Sequence, residues 1–408
     1  MKTGHFEIRP KCFHRFSTSF IGRNHLMKKK ALSVVLSLAI AGTLLAGCGG
    51  SGSSSQPASN AGAAQTGDAA ATGGGSMDIR IISKSFNNQF YQAAFKGAND
   101  AAADLGVTVT TNGPDVETNT SQQVEQVKAA VNAKPNAIVL AACDTDSLEE
   151  TLTAAKEAGI PVIGFDSGVP GDTTGAVLAT AATDNTNAGA NVAQNLIADP
   201  AFQEAILKGT EENPTVLGIL AQDATSGSIV LRVNGFIEEA VKDLEALDGL
   251  AGAVDVSGQE KWTQPSAKPA KVKIVVTVPP SSSAADIQSA SNTIFSTDNL
   301  VGVFAANQDA VNGVISATND GTDLDKANGK YKDIFVVGFD SGTSQRQAVT
   351  NGQFLGSVTQ DPYQMGYQAV TLAVKAANGE AVEDVDTGSK WYNAENIDSE
   401  EISVLLYD

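Results

Sequence analysis

Short apolar runs in this sequence hand over, one after another, to side chains that can hydrogen-bond. Ile79–Ile82 leads into Ser83-Lys84-Ser85-Phe86-Asn87-Asn88-Gln89-Phe90-Tyr91, and Ile163-Gly164-Phe165 into Asp166-Ser167. Further on, Val216–Leu220 is followed by Thr225-Ser226-Gly227-Ser228 and Arg232, and Val301–Ala305 by Asn307. Phe339 delivers Asp340, and the last run delivers Gln360-Asp361-Pro362. Carboxylates here can accept hydrogen bonds while Arg, Asn and Gln donate. Such a set suits a polyhydroxylated ring, whose hydroxyls do both; each bond to a charged partner contributes about 1.5–3 kcal/mol. The C–H faces of such a ring are apolar and flat, and Phe90 can cover one. Taken singly, Ser or Asp after a strand also serves as a helix cap, and Phe90 as core. Their coincidence at successive strand ends favours binding.

Residues for catalysis are scarce. The three histidines, His5, His14 and His25, all precede Met27. Cys12 lies there too, Cys48 sits in a different context discussed below, and Cys143 stands alone in the body. Imidazole is the usual general base near neutral pH and the commonest metal ligand. Without it, Cys143 reads as a small core residue at a strand end, and no intramolecular disulfide can form. The acidic stretch Asn319–Asp325 falls short of a calcium loop, because Ala327 interrupts the required ligand order. No P-loop, dinucleotide fingerprint or Ser-His-Asp set occurs. Neither a cofactor nor a metal is predicted, and the chain is read as a non-enzyme.

The amino-terminal region carries an address. Lys28, Lys29 and Lys30 precede the apolar run Ala31–Leu45, which ends in Leu45-Ala46-Gly47-Cys48. A basic segment, a short apolar core and small residues before a cleavage point describe a secretory signal peptide. The run is short of the roughly 20 residues of a membrane span. Its Leu-x-x-Cys ending resembles the lipobox of bacterial lipoproteins, which implies acylation of Cys48. Residues 1–26 fit no export pattern, so Met27 is read as the true start and 27–48 as the signal peptide. Residues 49–76 are almost entirely Gly, Ser, Ala, Gln, Thr and Asn and read as a flexible tether. The whole chain has a formal net charge of −19. Removing residues 1–47 takes away eight basic residues and one acidic residue, making the remainder more acidic still. Such a surface repels phosphate backbones, which excludes nucleic acid as a partner.

The elements that must position the polar set alternate in type. Ile79–Ile82, Val107–Thr111, Ala137–Ala141 and Pro161–Phe165 read as strands, with helices over Ala93–Leu105, Ser121–Val131 and Leu148–Ala158 between them. The wholly apolar run at 137–141 marks a strand covered on both faces. The pattern restarts with strands at Val216–Leu220, Val272–Val278, Val301–Ala305, Ile334–Phe339 and Phe354–Val358, and helices at Ile229–Leu244 and Ile287–Ile294. Gly258–Lys271, with Pro265 and Pro269, reads as a loop insertion. This βαβ alternation predicts two doubly wound parallel-sheet lobes. In such sheets ligands bind beyond the carboxyl ends of the strands, where the polar residues stand.

With those residues in view, the chain resembles the ribose-binding-protein group of periplasmic sugar-binding proteins across nearly all of 77–408. The matching segments are Asn87-Asn88-Gln89-Phe90-Tyr91, Ile160–Asp166, Ala182–Asn185, Thr225-Ser226 with Arg232-x-x-Gly235-Phe236, Phe304–Asn307, Val336–Asp340 and Gln360-Asp361-Pro362. The resemblance implies that Asn88, Asp166, Arg232, Asn307, Asp340 and Gln360 hydrogen-bond a sugar while Phe90 and Tyr91 pack on its faces. It implies a type I binding-protein fold with a three-segment hinge near Ala182–Asp184, Gln360–Asp361 and Thr387–Lys390. Residues 77–183 and 361–388 would form the amino-terminal lobe, and 184–360 and 389–408 the carboxy-terminal one. It also implies a monomeric, exported protein, lipid-anchored at the outer face of the cytoplasmic membrane or periplasmic. Such a protein captures a pentose, hexose or related polyol and delivers it to an ABC transporter permease. The alternative is a receptor presenting a sugar or autoinducer to a signalling partner. Three departures stand out. Ser167, Ala141 and Ser281 replace an Arg, an Asn and an aromatic of the ribose type, and Lys84 takes a serine's place. Loss of a guanidinium, an amide and a ring predicts a roomier pocket with fewer donors, for a ligand other than ribose.

Overall fold

A computed structural model describes residues 76–407. Cys48, the tether and the three histidines lie outside the described residues. The chain opens with β1 (Asp78–Ile82), α1 (Gln89–Leu105), β2 (Thr108–Asn112), α2 (Thr120–Ala133), β3 (Ala137–Leu140), α3 (Glu149–Glu157), β4 (Val162–Phe165) and β5 (Val177–Ala182). It continues through α4 (Asn185–Ala198), α5 (Pro200–Ile206), β6 (Thr215–Leu220), α6 (Gly227–Glu245), β7 (Val254–Ser257), β8 (Val272–Thr277) and α7 (Ala284–Phe295). Then come β9 (Leu300–Ala305), α8 (Gln308–Ala317), β10 (Phe335–Phe339), α9 (Thr343–Thr350) and β11 (Gly356–Gln360). The last elements are α10 (Pro362–Ala377), β12 (Val385–Asp386), β13 (Ser389–Tyr392) and α11 (Glu400–Ser403).

The strands form two sheets, six strands in the order β12-β5-β4-β3-β1-β2 and seven in the order β13-β11-β10-β9-β6-β8-β7. All pairings are parallel except β11 with β13. β3 shows why the sheet is covered on both faces. Ile138 and Leu140 enter one apolar cluster with Leu152, while Ala137 and Val139 enter another with Ile79, Phe165 and Met365. Successive strand residues point to opposite faces, so a wholly apolar run is what a two-sided core requires. The second sheet repeats this, with Leu217 and Ile219 in one cluster and Leu220, Val303 and Ala305 in the other.

In each half two helices cross at glycines. A Cβ on Gly97 of α1 would collide with the Tyr363 carbonyl of α10, and one on Gly235 of α6 with the Thr186 carbonyl of α4. These contacts fix where the first turns of α1 and α6 point, and both carry polar residues of interest.

Several elements differ from the sequence expectation. α1 begins at Gln89 rather than Ala93, because the Asn88 side chain caps it by accepting from the Phe90 N–H at 2.9 Å. β11 starts two residues late, since Phe354 is core-packed before the strand begins. The 258–271 segment is a loop, but it is anchored. Trp262 is buried and its Nε1 donates to Asn234 at 2.7 Å. Cys143 is a free, buried thiol, and burial pushes it well above its usual range. No described helix is long and apolar enough to cross a membrane.

Candidate functional site

The carboxyl ends of strands from both sheets face one small cavity. Asn88, Phe90 and Tyr91 reach it from the start of α1, Asp166 from just beyond β4, and Arg232 from the second turn of α6. Asn307 follows β9, Asp340 follows β10, and Gln360 ends β11. All eight of the residues expected from the sequence line this cavity. Lys84, Glu117, Ser228, Ile229 and Gln308 complete its wall.

Two aspartates stand at equivalent places and share a backbone device. Asp166 has φ 54° and Asp340 φ 79°, a left-handed conformation that non-glycine residues rarely adopt. The next strand over holds each one, through Asp166 N–H to Ala181 O at 3.1 Å and Asp340 N–H to Val358 O at 2.7 Å. This turns each carboxylate away from the strand line and toward the cavity wall.

Around Asp340 the partners are fixed by neutral groups and one guanidinium. The carboxylate accepts from Gln360 Nε2 at 2.6 Å and from the Gln308 N–H at 2.8 Å. Arg232, fully buried, donates to Asn185 Oδ1 at 2.7 Å and to Ala306 O at 2.7 Å, and its guanidinium lies 3.5 Å above the Phe339 ring. Burial raises Asp340 above the usual carboxylate range despite Arg232 beside it. Asn307 donates to Gln222 Oε1 at 2.5 Å and also caps α8 through Ala310 N–H.

Around Asp166 the chemistry is ionic. Its Oδ2 accepts from Tyr91 Oη at 2.6 Å and Ser167 Oγ at 3.1 Å, and Lys84 Nζ lies 3.6 Å away. The same ammonium is 3.2 Å from Glu117 Oε2 and donates to Ser228 Oγ at 3.3 Å. Glu117 also accepts from Gln222 Nε2 at 2.9 Å and Asn88 Nδ2 at 3.3 Å. Burial works to lower Lys84, but the carboxylates of Glu117, Asp166 and Asp223 outweigh it and hold the ammonium above its ordinary range. Burial raises Glu117, against the pull of Lys84.

The expected loss of a cationic donor beside Asp166 is offset in this structure. Lys84 brings an ammonium to Asp166 from a different strand, where Ser167 had removed a guanidinium. Gln123 supplies a buried amide that donates to the Ala141 and Ser83 carbonyls. With these side chains in place the cavity measures about 20 Å³, no more than one water's space. A larger hollow of about 720 Å³ opens past Asp166 and Ser167, between Leu178, Leu231 and Asp384. It is the bigger space, but the small cavity is where the donors and acceptors converge.

Sequence reasoning passed over Glu117 and Gln308 and treated Lys84 only as a departure. Glu117 lies five residues beyond β2, so the strand-end rule applied to that strand would have reached it. Gln308 directly follows Asn307.

Comparison with known proteins fits this geometry. The pattern of the family described as periplasmic binding protein domain matches residues 79–381. The ribose import binding protein of Escherichia coli is 23% identical over 305 residues, covering 75% of this chain and 86% of that protein. An ABC transporter solute-binding protein from Agrobacterium vitis, solved with bound D-fucose, superposes with a TM-score of 0.66 at 28% identity, covering 81% of this chain and 100% of that one. A Brachyspira murdochii structure titled as an ABC transporter, LacI family transcriptional regulator gives 0.66 at 34% identity, over 82% and 99%. The chain belongs to the periplasmic binding protein family, whose members are solute-binding proteins and not enzymes.

Proposed function

We propose that this chain is an exported sugar-binding lipoprotein that captures a monosaccharide or related polyol between two lobes and passes it to an ABC permease. The lobes would be 77–183 with 361–388 and 184–360 with 389–408, closing about the three chain crossings. Cys48 would carry the lipid that keeps the protein at the outer face of the membrane.

The observation that carries this reading is the convergence of Asn88, Phe90, Tyr91, Asp166, Arg232, Asn307, Asp340 and Gln360, from strand ends of both sheets, on one wall. The family adds weight, as do relatives that bind D-fucose and D-arabinose. A space of about 20 Å³ cannot hold a sugar ring, so entry demands that the two sheets separate. The hydrogen bonds that span them, such as Lys84 with Ser228, Gln89 with Gln308 at 2.9 Å, Gln222 with Glu117 at 2.9 Å and Thr118 with Ser282 at 3.1 Å, would give way on opening.

A thermal-shift screen against aldoses, ketoses and polyols tests the proposal, because a bound ligand raises the melting temperature by mass action. A saturating shift with at least one neutral sugar is expected, together with a smaller radius of gyration in solution scattering when that sugar is present. A flat response across the panel would sink sugar capture. Labelling by a palmitate analogue in the producing cell, lost in Cys48→Ala, tests the anchor.

A further inference from the structure

Beyond β13 the chain leaves one apolar core for the other. Ile397, Ile402 and, at the edge, Leu406 pack on the second-sheet cluster that holds Val303 and Phe354. Thr359 of β11 pins this segment, its Oγ1 donating to the Leu405 carbonyl at 3.2 Å. Tyr407, the residue after Leu406, is buried instead in the first-sheet cluster, with Ile79, Phe90 and Met365. These residues lie beyond 79–381, the stretch matched by the family pattern.

Tyr407 meets the candidate site from behind. Its ring centroid lies 5.9 Å from that of Phe90 at an interplanar angle of 80°, and Phe90 lies 5.2 Å from Tyr91 at 83°. Edge-to-face pairs at such spacings contribute beyond the area they bury. Phe90 and Tyr91 line the cavity, and Tyr407 is not part of the lining. The α1 backbone fixes Phe90 only as far as Cβ, so the rings packed against it decide how its face is aimed. Tyr91 is itself tied to Asp166 by its hydroxyl, which leaves Tyr407 as the ring brought from a distant part of the chain. Burial first, and then the Asp340 carboxylate close by, raise the Tyr407 phenol above its ordinary range. Earlier in the same segment, Tyr392 Oη donates to the Asp340 backbone carbonyl at 2.8 Å. The carboxy-terminal segment thus backs the wall on both sides, Asp340 through Tyr392 and Phe90 through Tyr407.

We propose that Tyr407 is a positioning residue for sugar binding: without touching the ligand, it sets the face that Phe90 offers to the sugar. The inference rests on sugar capture and adds to it a residue outside the cavity.

Calorimetric titration of the full chain with D-fucose, D-arabinose, D-galactose, D-glucose and D-ribose tests it, with variants at both rings. Tyr407→Leu should weaken the tightest-bound sugar of that panel about three- to tenfold. Tyr407→Phe keeps the ring and should change it by less than about twofold. Phe90→Leu should cost at least as much as Tyr407→Leu. In that background Tyr407→Leu should add less than about twofold, because a residue that acts through Phe90 has nothing left to act on. Undiminished affinity in Tyr407→Leu, an equal loss in Tyr407→Phe, or full additivity of the two Leu variants overturns the role while leaving sugar capture intact. Silence of the wild type across the panel overturns both readings together. Should Tyr407→Leu fail to fold, hydrogen exchange of the wild type decides. With sugar, the amides of 403–407 should exchange about threefold or more slowly, while those of β7, at the far edge of the second sheet, stay unchanged. Equal rates at 403–407 with and without sugar overturn the role.

Discussion

The two sides of the cavity wall use one backbone design and two kinds of charge. On the second-sheet side, Arg232 is held by geometry. Its planar fork meets Asn185 and Ala306 O, and its face meets the Phe339 ring. On the first-sheet side, Lys84 is held chiefly by charge, between Glu117 and Asp166, with one hydrogen bond to Ser228 Oγ. A guanidinium in a fixed fork is pre-organised, whereas an ammonium is a point charge on a flexible stem. The second side thus offers fixed directions, and the first an adjustable balance of charge. That is a reason for ligand identity to vary through Lys84 and Glu117 while Arg232, Asn307, Asp340 and Gln360 keep a common frame.

The sharpest way to break this contrast is to remove each cation. Arg232→Met leaves Asn185 Oδ1 and the Ala306 carbonyl without their partner and Asp340 without the positive charge near it. The expected loss is about 4–5 kcal/mol, measured by denaturant unfolding, with sugar binding abolished. A loss under about 1 kcal/mol would mean that the guanidinium is not the fixed point described. Lys84→Met strands two carboxylates and should cost about 3 kcal/mol. Because the first side is a charge balance, Lys84→Met with Glu117→Gln should recover about half of that or more. Additive losses in the double mutant would show that the two residues are not a pair.

The helix crossings give a smaller test. Gly235 lies one turn beyond Arg232 on α6, against the Thr186 carbonyl. Gly235→Ala should cost about 1–3 kcal/mol by overpacking and weaken sugar binding, since α6 must shift and carry Arg232 with it. Lost stability with undiminished affinity would uncouple the crossing from the site.

The same contrast explains what could be read from the sequence. β3, β4, β9 and β10 were legible because a strand buried on both faces must be apolar throughout, and the residues after them follow from sheet geometry. Asp166, Asn307 and Asp340 therefore came directly from the chain. β5 was not legible. Val177–Ala182 is mostly small residues with an exposed Leu178, so neither alternation nor an apolar run marks it. α4 and α10 were missed as well, although each meets its partner helix at glycines that leave no periodic signature. The Lys84–Glu117 pair was hidden for another reason. It joins residues 33 positions apart in segments without regular structure, and no spacing rule connects them. Charge balance across a cavity appears only once the loops are in place.

The smallest effect is a pH dependence on the second-sheet side. Asp309 is raised from the ordinary value of 3.8 to about 7 by burial first and by Glu117 and Asp340 second, with Lys84 opposing. An acid whose folded pKa exceeds its unfolded one is destabilising when ionised, so its penalty is absent below about pH 4 and complete above about pH 7. Asp309→Asn removes the penalty. Its melting temperature should match the wild type near pH 4 and exceed it by a few degrees at pH 8, about 2–4 °C for a chain of this size. The gain should grow steadily between those limits. If the difference is flat with pH, or has the opposite sign, then Asp309 is already compensated by a cation or by water.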